Sequence, residues 1–185
     1  ACSDTMVKTI VIRPEPTADF IPLNNEGCAP LLVDFNNTTS LPQGFNDKLY
    51  YTWHFGDGDT SHSRYPRHVY SNPGNYTVSL AVRTEYSCQD SIVKVNVINV
   101  FPVPNPAYTF QVVKFGIYDF KQNATGGVAP YKYYWDFDDG TSSVLDDPRH
   151  EFLINQINWN QGFNVCLTIT DANGCDSTLC DTLDI

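Results

Sequence analysis

The chain has 185 residues, of which 14% are aromatic, and a formal net charge of −10. This length suits one large domain or two of ordinary size. The negative charge argues against a nucleic-acid partner, because phosphates would be repelled, and it is compatible with cation binding. No apolar run is long enough to span a membrane. Six cysteines without a Cys-x-x-Cys spacing favour disulfide bonds in an oxidising, extracellular compartment over a metal site.

A repeated segment marks the domain borders. Cys2, Cys88 and Cys175 each open a polar stretch that runs into a strand-like segment, and they stand 86 and 87 residues apart. That period corresponds to one small domain. Because the segment closes each repeat, we predict that residues 1–13 are the last strand of a preceding repeat, in a fragment of a longer exported protein. The two predicted domains are residues 14–101 and 102–185.

The first domain follows a proline-spaced link, Pro14-Glu15-Pro16, and is predicted as consecutive strands. Aromatic residues alternate around Trp53 before the chain enters a Gly-Asp-Gly turn, which indicates a half-buried strand that ends in an acidic turn. Pro73-Gly74 is a strong turn signal, and apolar residues alternate with polar ones from Tyr76 onward. The predicted strands are Ala18–Leu23, Leu31–Phe35, the Trp53 strand and the strand that begins at Tyr76.

The second domain repeats this order after a matching link, Pro104-Asn105-Pro106. Its Trp135 strand ends in the turn Asp138-Asp139-Gly140, and apolar residues again alternate from Phe163 to Ile169. No segment has convincing helical periodicity, so the predicted fold class is all-β. The predicted strands of this domain are Val113–Phe120, Tyr131–Phe137 and Phe163–Ile169.

Three motifs in a fixed order resemble the polycystic-kidney-disease (PKD) repeat. They are Trp-x-Phe-Gly-Asp-Gly at Trp53–Gly58, Pro-x-His-x-Tyr at Pro66–Tyr70, and Pro-Gly-x-Tyr-x-Val-x-Leu-x-Val at Pro73–Val82. The second copy departs from the pattern, since Asp138 replaces a glycine and no proline precedes Gly162. The resemblance implies tandem immunoglobulin-like β-sandwiches of about seven strands each, as found in extracellular proteins.

The resemblance extends to a subtype. The segment Gly27-Cys28-Ala29-Pro30 and the later Asn173-Gly174-Cys175 are similar to repeats in large surface proteins and adhesins of gliding, type IX-secreting bacteria. In those proteins the repeats serve mostly as spacers, which implies a non-catalytic extracellular spacer or adhesion segment here. The alternative is a carbohydrate- or protein-binding accessory module of a secreted hydrolase.

Cysteine placement predicts a disulfide in each domain. Cys28 and Cys88 are predicted to lie at one end of the first sandwich, and their bond would close a loop of about 60 residues, worth about 4 kcal/mol in the chain-entropy model. Cys166 and Cys180 flank a hairpin turn on adjacent strands, and a Cys166–Cys175 bond is the competing pairing. Cys2 is left without a partner.

The acidic turns are the candidate metal sites. Their carboxylates could supply oxygen ligands to Ca²⁺, which takes about six to eight of them. The alternative is that Asp and Gly shape a tight turn and cap backbone donors. Calcium is therefore the one cofactor considered. The candidate ligands are Asp57, Asp59, Asp138 and Asp139.

Catalytic motifs are absent from the sequence. No serine lies in a Gly-x-Ser-x-Gly elbow, and His68 and His150 occupy the same repeat position, which favours a structural role. We therefore expect that the protein is not an enzyme.

The remaining candidates concern contacts and modification. Trp159, in an insertion of the second domain, is a candidate ligand contact, alone or with Tyr131 and Tyr133. Neighbouring repeats are the expected partners, with surface polysaccharide or protein as further ones. The Asp-Ser/Thr-apolar pattern resembles bacterial O-glycosylation sites, or else marks polar strand starts. These sites are Thr5, Ser91, Ser177 and Thr182.

Overall fold

The computed structural model describes residues 6–8, 12–153 and 162–184. Its contacts divide the chain into two compact units, whose main division lies after Asn99. The assignment of two short segments to unit 2 was not predicted. Unit 1 consists of Ala1–Asn25, Leu32–Tyr70 and Asn75–Asn99, and unit 2 of Glu26–Leu31, Ser71–Gly74 and Val100–Ile185.

Every regular element in the described ranges is a β-strand, so the predicted all-β class is confirmed. Within those ranges no helix is long and apolar enough to cross a membrane. The strands are β1 (Phe20–Leu23), β2 (Glu26–Cys28), β3 (Leu31–Asn37), β4 (Leu49–His54), β5 (Thr60–Ser61), β6 (Arg67–Tyr70), β7 (Gly74–Thr84), β8 (Gln89–Phe101), β9 (Pro104–Asn105), β10 (Tyr108–Lys114), β11 (Ile117–Gln122), β12 (Thr125–Gly126), β13 (Lys132–Asp136), β14 (Ser142–Ser143), β15 (Arg149–Glu151), β16 (Phe163–Thr170) and β17 (Asp176–Leu183).

Unit 1 contains two sheets. One has the strand order β1-β3-β6, and the other contains the run β8-β7-β4-β5. Along β7, Val78 and Leu80 are buried while Ala81 and Arg83 are exposed, in agreement with the predicted alternation. Successive side chains of a strand point to opposite faces, so one face of β7 is available to the core.

Trp53 is the centre of the unit 1 core and is fully buried. Its ring lies 5.1 Å from that of Phe20 and 5.6 Å from that of Phe35, which belong to the other sheet. Its indole N–H donates to the carbonyl of Ser63 at 2.9 Å, so the one polar atom of the ring is satisfied. These contacts join the two sheets of the unit.

Unit 2 contains sheets of order β10-β11-β15, β12-β9 and β14-β13-β16-β17. The prediction of one strand over Val113–Phe120 is wrong, because β10 and β11 are two antiparallel strands joined at Phe115 and Gly116. Gly116 adopts φ 79°, a left-handed conformation that glycine reaches without steric cost. The reversal places Phe110 opposite Phe120.

The unit 2 core is built around Trp135, whose ring lies 5.1 Å from that of Tyr108 and 5.5 Å from that of Phe120. Its indole N–H donates to the carbonyl of Leu145 at 3.0 Å. The buried cluster consists of Tyr118, Phe120, Trp135, Phe137, Phe152, Phe163, Val165, Leu167, Ile169 and Leu183.

Candidate functional site

The acidic turn of unit 1 follows β4. Gly56 and Gly58 adopt φ 91° and 106°, and the N–H of Phe55 donates to the carbonyl of Asp59 at 3.1 Å across the turn. One carboxylate oxygen of Asp57 accepts the N–H of Asp59 at 3.1 Å. The carboxylate therefore shapes the turn, which is the role that Asp commonly has in such loops.

The other oxygen of Asp57 lies 2.6 Å from Nε2 of His68. The imidazole stacks on Phe55 at 4.3 Å between ring centroids and meets Tyr70 edge-on at 4.7 Å. Burial alone would raise the pKa of Asp57, but the hydrogen bonds from His68 and from the turn backbone outweigh it and hold the pKa below its usual value. The pair thus fixes an ionised carboxylate over an aromatic core.

The acidic turn of unit 2 has the same plan. Nε2 of His150 lies 2.8 Å from a carboxylate oxygen of Asp139, and the imidazole stacks on Phe137 at 3.9 Å. The backbone and hydroxyl of Thr141 donate to the second oxygen. Burial would raise the pKa of Asp139, whereas these hydrogen bonds lower it below its ordinary value.

The structure places the four predicted calcium ligands differently in the two units. In the described ranges, the one group of three metal-ligating atoms within 4.8 Å of one another comes from Asp57, Asp59 and His68. In unit 2 the carboxylate of Asp138 accepts the N–H of Asn164 at 3.0 Å, and Asp139 is engaged as described above. A set with an imidazole nitrogen and two carboxylates differs from the all-oxygen shell that Ca²⁺ prefers.

The disulfide prediction for Cys28 is wrong. Cys28 is bonded to Cys175, with 5.6 Å between the Cα atoms, and Cys88 is a free, half-buried thiol. The physical reason is that the segment Glu26–Leu31 belongs to unit 2, where the N–H of Ala29 donates to the carbonyl of Phe101 at 2.9 Å. Cys28 therefore lies with Cys175 and not with Cys88.

The Cys166–Cys180 bond is present in the structure. Cys166 and Cys180 lie directly opposite each other on β16 and β17, which agrees with the predicted position of the two cysteines on either side of a hairpin turn. The competing Cys166–Cys175 pairing does not occur, because Cys175 is already bonded.

Some of the other predicted site residues are described by the structure and some are not. Trp159, Thr5 and Cys2 lie outside the described residues. Ser91 on β8 and Thr182 on β17 are exposed, whereas Ser177 is half-buried. Tyr131 and Tyr133 form an edge-on pair at 6.4 Å.

The histidines complete the acidic turns, and their partners were not predicted. The signal for them is in the sequence, because Asp57 and His68 are 11 residues apart, as are Asp139 and His150. A shared spacing between an acid and a base at the same repeat position indicates a pair.

Comparison with known proteins matches residues 13–100 to the family model of the PKD domain. The chain is similar to the PKD1 domain of Vibrio anguillarum Epp, with 26% identity and a TM-score of 0.40 over 48% of this chain and 99% of that one. It is similar to the PKD1 domain of the Vibrio cholerae metalloprotease PrtV, with 28% identity and a TM-score of 0.39 over 47% and 98%. A structure described among carbohydrate-binding modules of the β-sandwich superfamily shares 16% identity and a TM-score of 0.43 over 94% and 85%.

The matched residues contain the buried Trp53 strand, the acidic turn and the His68 strand. The chain therefore contains a PKD domain over residues 13–100.

Proposed function

We propose that the chain is a non-catalytic spacer segment of an extracellular bacterial surface protein, built from two PKD-type domains in tandem. The observation that carries the proposal is the repetition of one set of contacts in both units. The subtype motifs described above favour a large adhesin of gliding, type IX-secreting bacteria as the parent protein. Disulfides favour an oxidising compartment outside the cytosol.

The first repeated contact is the indole bond of the core tryptophan. Trp53 and Trp135 each donate to a carbonyl ten residues further along the chain, at 2.9 and 3.0 Å. Each indole also lies 5.1 Å from an aromatic ring on a strand of another sheet, Phe20 on β1 or Tyr108 on β10, with interplanar angles of 68° and 69°. Agreement at this level supports a second copy of the domain in unit 2.

The second repeated contact is the ion pair across the first sheet. Arg67 lies 2.6 Å from Asp34 in unit 1, and Arg149 lies 2.6 Å from Asp119 in unit 2. Just before each arginine, a proline carbonyl accepts the N–H of the core phenylalanine, at 3.0 Å in unit 1 and 2.9 Å in unit 2. Together with the Asp–His pairs, these contacts extend the repetition from the core to the surface.

The mechanism of a spacer is to transmit tension without unfolding. The Cys28–Cys175 bond joins residues separated by 147 positions, so tension applied to the chain ends passes through the bond and bypasses everything between them. At about 3.4 Å per residue, the bond withholds roughly 500 Å of extension. Most of both units is thus covalently protected.

Single-molecule force spectroscopy tests this role. The oxidised chain, pulled from its two ends, should extend only through the residues outside the bond, and reductant should release roughly 500 Å more. The Cys166→Ser/Cys180→Ser variant, which keeps the longer bridge, is the control. Full extension of the oxidised wild-type chain would refute the mechanical role.

A glycan array and a hydrolase screen test the other functions considered. The spacer predicts no retention on polysaccharide and no turnover. Retention that is lost in a Tyr131→Ala/Tyr133→Ala variant, which keeps its circular dichroism spectrum, would support the accessory-module function instead.

A further inference from the structure

Cys88 and Cys175 occupy the same turn in their units. The N–H of Thr84 donates to the carbonyl of Cys88 at 2.8 Å, and the N–H of Asp171 donates to the carbonyl of Cys175 at 2.8 Å. In both turns the residue before the cysteine is left-handed, with φ 71° at Ser87 and 81° at Gly174. The backbone therefore presents the two cysteines in the same way.

Side-chain contacts extend this equivalence. The N–H of Cys88 donates to the hydroxyl of Thr84 at 3.1 Å, and the N–H of Cys175 donates to the carboxylate of Asp171 at 2.9 Å. Thr84 and Asp171 are both buried. In each turn the side chain of the buried first residue therefore fixes the backbone of the cysteine through a hydrogen bond.

The two cysteines differ in their burial and in their bonding. Cys175 is 1% exposed and bonded to Cys28, which stands 147 positions earlier in a Gly-Cys-Ala-Pro segment. Cys88 is half-buried and free, and its Sγ lies 3.7 Å from the carbonyl of Arg13, in the chain that leads into β1. Because Cys175 forms a disulfide from this turn, the turn can present a cysteine to a bonding partner.

We propose that Cys88 is a docking cysteine for a preceding domain of the same type, and that it forms a disulfide with a cysteine in that domain's Gly-Cys-Ala-Pro-like segment. The partner stands about 147 positions before Cys88, upstream of Ala1, by analogy with the spacing of Cys28 and Cys175. Cys28 is not the partner, because it is already bonded to Cys175. This inference rests on the proposed tandem arrangement and extends it into a chain of covalent bridges.

The chemistry is an ordinary thiol–disulfide exchange. The Cys88 and partner thiols lose two protons and two electrons and form one S–S bond, while the disulfide of a thiol oxidoreductase takes them up and is reduced to two thiols. The two bonds already in the chain require the same class of oxidant.

Peptide mapping of the full-length protein tests the inference. Cells are lysed in N-ethylmaleimide to block free thiols, and the protein is digested without reduction and analysed by mass spectrometry. The expected product is a peptide pair that contains Cys88 and an upstream cysteine and separates on reduction. In a full-length Cys88→Ser variant the upstream cysteine becomes labelled, whereas the matched Cys166→Ser control exposes Cys180 alone.

Three outcomes would overturn the inference: a maleimide-labelled Cys88 in the wild-type protein, a Cys88 peptide bonded to Cys2 or Cys28, and a parent sequence without an upstream cysteine. If Cys88→Ser is not secreted, the wild-type map decides alone. A labelled Cys88 alongside the protected extension under force would reject this inference and leave the spacer function intact.

Discussion

The two units build the same acidic turn although the residue before the aspartate of the Asp–His pair differs. Unit 1 has Gly56, which lies so close to β7 that an added Cβ would be 2.5 Å from the carbonyl of Thr77. Unit 2 has Asp138 at φ 63°, and its carboxylate accepts the N–H of Asn164 on the matching strand. One unit gains close backbone packing and the other gains a hydrogen bond. The turn geometry survives because its anchor, the Asp–His pair, is the same in both.

The units also differ in their covalent bonds. Both described disulfides lie in unit 2, whereas the described part of unit 1 contains a free thiol at Cys88. The described part of unit 1 thus has no disulfide with both cysteines in that unit, although the loop closed by the Cys28–Cys175 bond contains most of it, while unit 2 adds two cross-links to a similar core.

Disulfide removal should have the largest effect on this comparison. In the chain-entropy model, loss of the Cys28–Cys175 bond lowers the free energy of unfolding by about 5 kcal/mol, and loss of the Cys166–Cys180 bond by about 3 kcal/mol. The difference arises because the bonds span 147 and 14 residues. Denaturant unfolding of the two double Cys→Ser variants measures it. Cys88→Ser is the control, and an equal loss in all three variants would contradict the bonding pattern.

Substitution of Gly56 or Asp138, the residue before the aspartate of each Asp–His pair, should have the next largest effect. Gly56→Ala combines a left-handed backbone with a clash against Thr77, so we expect a loss of roughly 2–3 kcal/mol. Asp138→Gly removes one hydrogen bond and relieves a left-handed non-glycine residue, so we expect a change of at most about 1 kcal/mol. Thermal unfolding of both variants measures the asymmetry. If both cost the same, the two turns are not built as described.

Acidification should affect both turns alike. The pKa values of Asp57 and Asp139 are lowered by folding, so their contribution is present above the unfolded pKa of about 3.9 and is lost as pH falls through the lower folded value. Asp57→Asn and Asp139→Asn should each flatten the loss of stability below about pH 4. Denaturant midpoints across an acid pH series measure this. pH dependences of stability identical to that of the wild type would show that the Asp–His pairs do not stabilise the turns.

Calcium should have the smallest effect. His68 already contacts one carboxylate oxygen of Asp57, and Thr141 and His150 contact the two carboxylate oxygens of Asp139. We therefore expect the melting midpoint to be the same with Ca²⁺ and with chelator. A midpoint that rises with Ca²⁺ in the wild type and not in Asp59→Asn would establish a calcium site in the first turn.

Sequence reasoning predicted the all-β class and the strands around Trp53 and Trp135, because alternating aromatic residues bounded by Gly and Asp leave few other structures. It did not predict the hairpin at Phe115-Gly116, since an apolar run on both sides of one glycine also fits a single strand. The cross-linking of Cys28 was missed for a different reason. Period and domain borders suggested pairing within one repeat, whereas pairing depends on which unit the Glu26–Leu31 segment contacts.

The site was predicted in part. The acidic residues of the turns were identified from the Asp–Gly turn motifs. The imidazoles that engage them come from strands of another sheet, β6 and β15, and their only signal in the sequence is a spacing of 11 residues. The offset of 11 residues between Asp57 and His68 becomes informative because Asp139 and His150 in unit 2 have the same offset.

The central claim, that the chain contains two copies of one domain, is tested most directly by pulling the Cys28→Ser/Cys175→Ser variant from its two ends. Without the long bridge each unit is under tension, and the account predicts two separate unfolding events. The event of unit 1 should release roughly 300 Å, and that of unit 2 somewhat less, since the Cys166–Cys180 bond withholds 14 residues. A single event, or one event followed by featureless extension, would contradict it.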